Sequence, residues 1–174
     1  MMAIVVSVSL CVAAIIFCLV LGQRVNEERP AELRGAKLLL NERLIQISNP
    51  IPLSGRPDQV WRTRDGVLVL IDTKTRRTPR VYEYDRVQLS AYAMLLRHSW
   101  VKRRGDVAPY GFIRFKSENG VRFVRVLLYD DEHIFDLYDR FQDVARSSSK
   151  AVANPSRALC AGCGHAEGCD AVAR

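Results

Sequence analysis

The chain opens on an apolar run unlike anything that follows it. Residues 3–22 read AIVVSVSLCVAAIIFCLVLG, and the first charged residue of the chain is Arg24. Twenty residues at a helical rise of about 1.5 Å cover about 30 Å, the thickness of a bilayer core. A cleaved signal peptide wants a basic leader, a shorter apolar stretch and a small-x-small site. No Lys or Arg precedes this run and no A-x-A follows it, so residues 1–23 are expected to be a retained transmembrane anchor. Arg24, Arg29, Arg34 and Lys37 all lie after the run. That asymmetry predicts a single-pass protein of the cell (inner) membrane with its N-terminus out and its body cytoplasmic.

After the run, the pattern alternates between helical and strand periods. Pro30 followed by Leu33, Ala36, Leu40 and Leu44 predicts a helix to about residue 44. Residues 45–55, IQISNPIPLSG, look extended but carry two prolines, which suits an edge strand. Residues 58–64 and 67–74 read as strands around Asp65-Gly66; the second, VLVLIDTK, is apolar enough to be a central strand covered on both faces. Residues 84–98 form the next helix, with Asp85 in its first turn. Residues 109–116 and 121–129 are a hairpin around Asn119-Gly120, and a last helix covers 131–146. The order α-β-β-β-α-β-β-α describes an α/β domain, a mixed sheet flanked by helices, over residues 24–155. A polar linker then leads into a Cys-rich tail at 156–174.

Composition changes the picture in one respect. The 26 Lys+Arg and 19 Asp+Glu, net +7, all fall after residue 23. A charged body behind one apolar head excludes a long disordered chain, a multi-span transporter and a disulfide-rich mini-protein. It points to a polyanionic partner.

Three groups carry the chemistry: Gly55-x-x-Asp58, Asp72-Thr73-Lys74 and Gln88-x-x-x-Tyr92. Asp72 and Lys74 are two apart on a strand and share a face. A two-residue turn at Asp65-Gly66 would set Asp58 opposite Thr73. A three-residue loop, Arg64-Asp65-Gly66, sets Asp58 opposite Asp72, and it wants a glycine at its last, left-handed position, where Gly66 stands. Two carboxylates at cross-strand distance repel unless something positive lies between them, and a hard cation such as Mg²⁺ or Mn²⁺ suits oxygen ligands. Lys74 could then stabilise charge developing on a phosphoryl group or orient a metal-bound water. Gln88 and Tyr92, four apart, share one helical face.

GRPD (55–58), LIDTK (70–74), YDRVQLSAYAML (84–95) and CAGC…C (160–169) together resemble the PD-(D/E)XK nuclease superfamily. The likeness is to its RecB-like branch, and within that to the CRISPR-associated adaptation nucleases and their stand-alone, membrane-anchored relatives. The resemblance implies a restriction-endonuclease-like fold and exonuclease-like, metal-dependent hydrolysis of DNA, single-stranded DNA included. It implies Asp58, Asp72 and the Thr73 carbonyl as metal ligands, Lys74 as catalytic, and Gln88 and Tyr92 beside the site. The family often adds an acid or His from an upstream helix; Glu32 is the candidate and Glu28 the reserve, although an acid at a helix start has a structural use of its own.

Lys74, Arg76, Arg77 and Arg80 crowd the segment after the Asp-x-Lys strand, where they could hold phosphates. Arg97, Lys102, Arg103 and Arg104 bracket Trp100 and suit either nucleic acid or anionic lipid headgroups. Cys160, Cys163 and Cys169 have spacings that suit a zinc or iron–sulfur centre. In the resembling nucleases such a triplet joins an upstream cysteine around a 4Fe–4S cluster, but no cysteine lies between residues 19 and 159 here. An iron–sulfur cluster with another fourth ligand, a zinc site and a degenerate site all stay open. Two functions remain in view: a membrane-tethered nuclease, and a catalytically idle nucleic-acid-binding or assembly module of the same fold.

Overall fold

The computed structural model describes residues 29–171 except Arg77 and Asn119. The expected transmembrane segment and Glu28 lie outside the described residues. Among those described, no helix is long and apolar enough to cross a membrane.

Among the described residues, seven strands form two sheets. The main sheet runs in the order β1 (Lys37–Asn41), β4 (Gln59–Arg62), β5 (Leu68–Lys74), β6 (Tyr110–Ser117), β7 (Gly120–Leu127). Only the β5–β6 pair is parallel. The crossover that a parallel pair requires is supplied by helix α1 (Glu83–His98) and a 3-10 turn at Trp100–Arg104. A small hairpin of β2 (Ile45–Ile47) and β3 (Leu53–Gly55) stands apart. Helix α2 (Asp131–Ala145) follows β7, and a short helix α3 (Arg157–Cys160) opens the tail. This is the expected mixed α/β architecture.

The core explains why β5 is so apolar. Leu68 and Leu70 face α1, packing with Leu89, Ala93, Leu96 and Ile113. Val69 and Ile71 face the other way, onto Leu33, Ala36, Trp61 and Phe112. A strand covered on both faces has no polar side to show, and its alternation carries Asp72 and Lys74 onto the α1 face. A third cluster of Ile51, Met94 and Ile134 joins the small hairpin to α1 and α2. Asp131, in the first turn of α2, pairs with Arg97 and His98 in the last turn of α1, so opposite charges sit at complementary helix ends.

Two expectations fail near the start of the domain. The helix expected through residue 44 is a 3-10 turn at Ala31–Leu33 followed by β1. Gly35, at φ 78°, ends the turn in a conformation that favours glycine. The helix-like spacing was coincidental: Leu33 and Ala36 serve the cluster on one face of the sheet and Leu40 the cluster on the other, while Leu44 is exposed. Residues 45–55 are not one edge strand but two short strands. Their connection holds both prolines and a cis Asn49–Pro50 bond; the edges of the main sheet are β1 and β7.

Candidate active site

The β4–β5 turn sets the site. Thr63 N–H donates to the Val67 carbonyl at 2.9 Å and Gly66 N–H to the Thr63 carbonyl at 3.1 Å, with Gly66 at φ 84°. This is the three-residue loop with its glycine in the left-handed position. Arg62 therefore pairs with Leu68 and Gln59 with Ile71, and the same register carries Asp58 opposite Asp72. Asp58 sits just before β4, where its carbonyl accepts from Glu42 N–H at 3.0 Å. Its carboxylate accepts from Thr73 N–H at 2.7 Å. A residue of an antiparallel strand turns its N–H and C=O to the same neighbour, so the Thr73 carbonyl also belongs to the Asp58 side of β5.

On the α1 face, polar side chains form a relay. Lys74 Nζ lies 2.8 Å from Asp72 Oδ2 and donates to Gln88 Oε1 at 2.8 Å. Gln88 Nε2 in turn donates to the Tyr92 hydroxyl at 3.0 Å. The Tyr92 ring lies over Gly55: a Cβ built there would come within 2.6 Å of Tyr92 Cε1. Gly55 thus lets the β3 backbone approach α1, which ties the Gly55-x-x-Asp58 segment to the helix that bears Gln88 and Tyr92.

Asp85 was expected only as a first-turn acid, yet it belongs to this network. It is fully buried, accepts from Tyr82 N–H at 2.8 Å, pairs closely with Arg76, and lies 3.8 Å from Lys74 Nζ. The signal in the sequence was its position three residues before Gln88, which shares its helical face. Arg114, beside Thr73 in the β5–β6 register, donates to the Thr73 hydroxyl at 3.0 Å; a buried arginine there had no sequence signal.

The two buried acids differ in charge behaviour. Burial pushes the Asp72 carboxyl up from its ordinary range; Lys74 works against this, and Asp58 and Asp85 add to it. Burial also acts on Asp85, but hydrogen bonds from Arg76 and Tyr82 N–H outweigh it and hold that carboxyl below the ordinary range.

A profile of the PD-(D/E)XK nuclease superfamily matches residues 14–170. This chain belongs to that superfamily. None of the curated proteins matches it. One solved protein, described as "Crystal structure of SSO0001", is 16% identical, with a TM-score of 0.45 over 82% of this chain and 64% of that one. This chain thus spans less than two thirds of that protein's length.

Membership of the PD-(D/E)XK superfamily makes this a nuclease-type phosphodiesterase fold, whose members are generally metal-dependent and typically use Mg²⁺ or Mn²⁺. The residues present fit such a cation. Asp72 Oδ2 is buried and accepts no well-directed hydrogen bond, although Lys74 is near it. Lys74 Nζ stands 2.8 Å from that oxygen without filling its hydrogen-bonding capacity, which a hard cation would take up.

Other candidates are placed differently. Glu32 is exposed on the 3-10 turn, whose Leu33 packs on the face of the sheet away from Asp72, so it does not join the pair. Arg76 turns inward, onto Asp85 and the Arg80 carbonyl, with its guanidinium 4.7 Å from the Tyr82 ring; it braces the site rather than offering a free cation. Arg80 stays exposed, 5.4 Å over Tyr82, and Arg77 lies outside the described residues. Trp100 is half exposed, with Arg43 stacked 4.8 Å over its ring. Cys160, Cys163 and Cys169 fall in turns around α3 and a 3-10 turn. Among the described residues no group of three or more His, Cys, Asp or Glu is disposed to hold a metal ion. The three cysteines are not gathered into such a group, and neither are Asp58, Asp72 and Asp85.

Proposed function

We propose that this protein is a membrane-tethered DNA nuclease of the RecB-like branch, cutting phosphodiester bonds with Mg²⁺ or Mn²⁺. The observation that carries the reading is the convergence of Asp58, Asp72 and Lys74 at the end of β5, with Gln88 and Tyr92 behind them. Resemblance to the CRISPR-associated adaptation nucleases rests on the order and spacing of the four sequence motifs. The tether and the cytoplasmic placement of the body rest on the composition of residues 3–22 and the cations after them.

In this reading Asp58, Asp72 and the Thr73 carbonyl would hold the cation. A bound divalent ion supplies positive charge against the phosphodiester and acidifies a water molecule. Thr73 N–H fixes one Asp58 oxygen, so the carboxylate presents its other oxygen in a set orientation. Gln88, itself held by Tyr92, keeps the Lys74 ammonium at the mouth of the site. There its charge stabilises negative charge that grows on the phosphoryl oxygens. Asp85 and Arg76 hold the start of α1, and hence Gln88, against β5.

The test is incubation of the full chain in detergent with labelled single- and double-stranded DNA, in Mn²⁺, Mg²⁺ or EDTA. Shortening of the DNA only with a cation, lost in Asp72→Ala, is expected. Equal cleavage in EDTA would sink the cation role. DNA that is bound but left whole in Mn²⁺ would transfer the reading to an idle binding module.

A further inference from the structure

We propose that the end of the main sheet opposite Asp58 and Asp72 is a docking surface for anionic lipid headgroups; this rests on the membrane attachment proposed above. Lys37 and Arg62 are cross-strand partners at this end. With Arg64, Gly35 and Thr63 they line an open cavity of about 280 Å³. The Arg64 guanidinium lies directly against Gly35, where a Cβ would meet Nε at 2.7 Å. Lys102, Arg103 and Arg104 come to the same end because Gly105 packs on the β4–β5 turn: a Cβ there would stand 1.8 Å from the Gly66 carbonyl oxygen. Leu68 N–H also donates to the Asp106 carbonyl at 2.7 Å. None of these six cations takes part in an ion pair among the described residues. The adjoining segments also carry carboxylates: Asp65, Asp106 and the exposed Glu32 of the 3-10 turn before Gly35.

Two observations favour a membrane over a nucleic acid. The chain enters the domain here: Arg29 donates to the Ala36 carbonyl at 3.3 Å, one residue before Lys37, with its guanidinium 4.4 Å over Trp61. Residues 23–28 are all that separate Arg29 from the apolar run, a reach of at most about 25 Å. A body hung from that run therefore meets the bilayer with this end first, where each Lys or Arg is drawn to an anionic surface. Conversely, the two faces of β4 and β5 between this end and the acids are covered by the two apolar clusters. A strand of DNA lying on the acids has no open path along those faces to these cations. Six residue steps run from Gly66 to Asp72, about 20 Å at strand rise, so docking would hold the site clear of the surface and open to substrate.

The test reconstitutes the full chain in vesicles of phosphatidylcholine alone and in vesicles with roughly one third phosphatidylglycerol. Flotation reports attachment, and amide hydrogen exchange reports docking. The expected result is flotation with both, with amides at 62–66 and 102–106 exchanging about threefold or more slower only over the anionic lipid, and those at 72–76 unchanged. That protection should vanish in a Lys37→Glu/Arg62→Glu/Arg64→Glu variant and, in the unaltered chain, at roughly 1 M salt. Flotation with equal exchange in both lipids overturns the docking surface and leaves the attachment standing. Protection over anionic lipid, without flotation on phosphatidylcholine, supports the surface and overturns the anchor. Flotation with neither overturns both. Protection produced by a DNA oligonucleotide and not by anionic lipid assigns the surface to nucleic acid and overturns the proposal.

Discussion

At the end of β5, residues far apart in sequence meet at hydrogen-bonding distance: Asp58 on the Thr73 N–H, Lys74 between Asp72 and Gln88, and Gln88 on Tyr92. In the tail, three cysteines that fall within ten residues sit in consecutive backbone turns. The difference lies in the support beneath each set. Strand register, a parallel neighbour and a buried helix face set the direction of every side chain in the first region. Short turns on the surface set very little in the second. Closeness in sequence is thus a poor guide to a site, and shared scaffolding a better one.

The two regions should differ most in their effect on activity. Asp72→Ala and Lys74→Ala should each lower the rate of DNA cleavage by about a thousandfold or more. Cys163→Ala should change it by no more than about twofold. Rates measured on one labelled oligonucleotide decide this, and comparable losses in all three variants would erase the distinction between the two regions.

Stability gives the next largest effect. Asp85→Asn leaves Arg76 without its charged partner, and breaking such a pair costs about 3 kcal/mol, readable by urea unfolding. Because the Asp85 carboxyl lies below its ordinary range, the stability it lends is complete above that range and fades as pH falls through its lowered value. An Asp85→Asn variant with unchanged urea stability at neutral pH would show that the pair does not brace the site.

A smaller effect is expected at Gly55. Gly55→Ala forces a methyl to within 2.6 Å of Tyr92 Cε1, and overpacking of this kind costs about 1–3 kcal/mol. The Tyr92 ring should shift, with loss of its bond to Gln88 and a slower cleavage rate. A variant as active and stable as the parent would show that the ring is not held by this contact.

The smallest effect has the opposite sign. Burial raises the Asp72 carboxyl, so its ionised form weakens the cation-free protein at neutral pH, and the penalty is relieved as pH falls through the raised value. Asp72→Asn should melt above the parent in EDTA at neutral pH, with the gap closing on acidification. A lower melting temperature for Asp72→Asn under those conditions would contradict a site strained in the absence of its cation.

The β4–β5 turn, the face shared by Asp72 and Lys74, the Asn119-Gly120 hairpin signal and the two long helices followed from the sequence because each depends on neighbours a few residues away. Gly66 in a left-handed position sets a three-residue loop, and the loop alone brings Asp58 across from Asp72. The first turn and β1 did not follow. Leu33, Ala36 and Leu40 have helical spacing, but two of them pack on one side of the sheet and the third on the other, a division that exists only once β4 offers β1 an edge. The roles of Asp85 and Arg76 were hidden for the same reason. One is an ordinary first-turn acid and the other one cation of a basic run until α1 docks on β5, excludes water between them and leaves each as the other's partner.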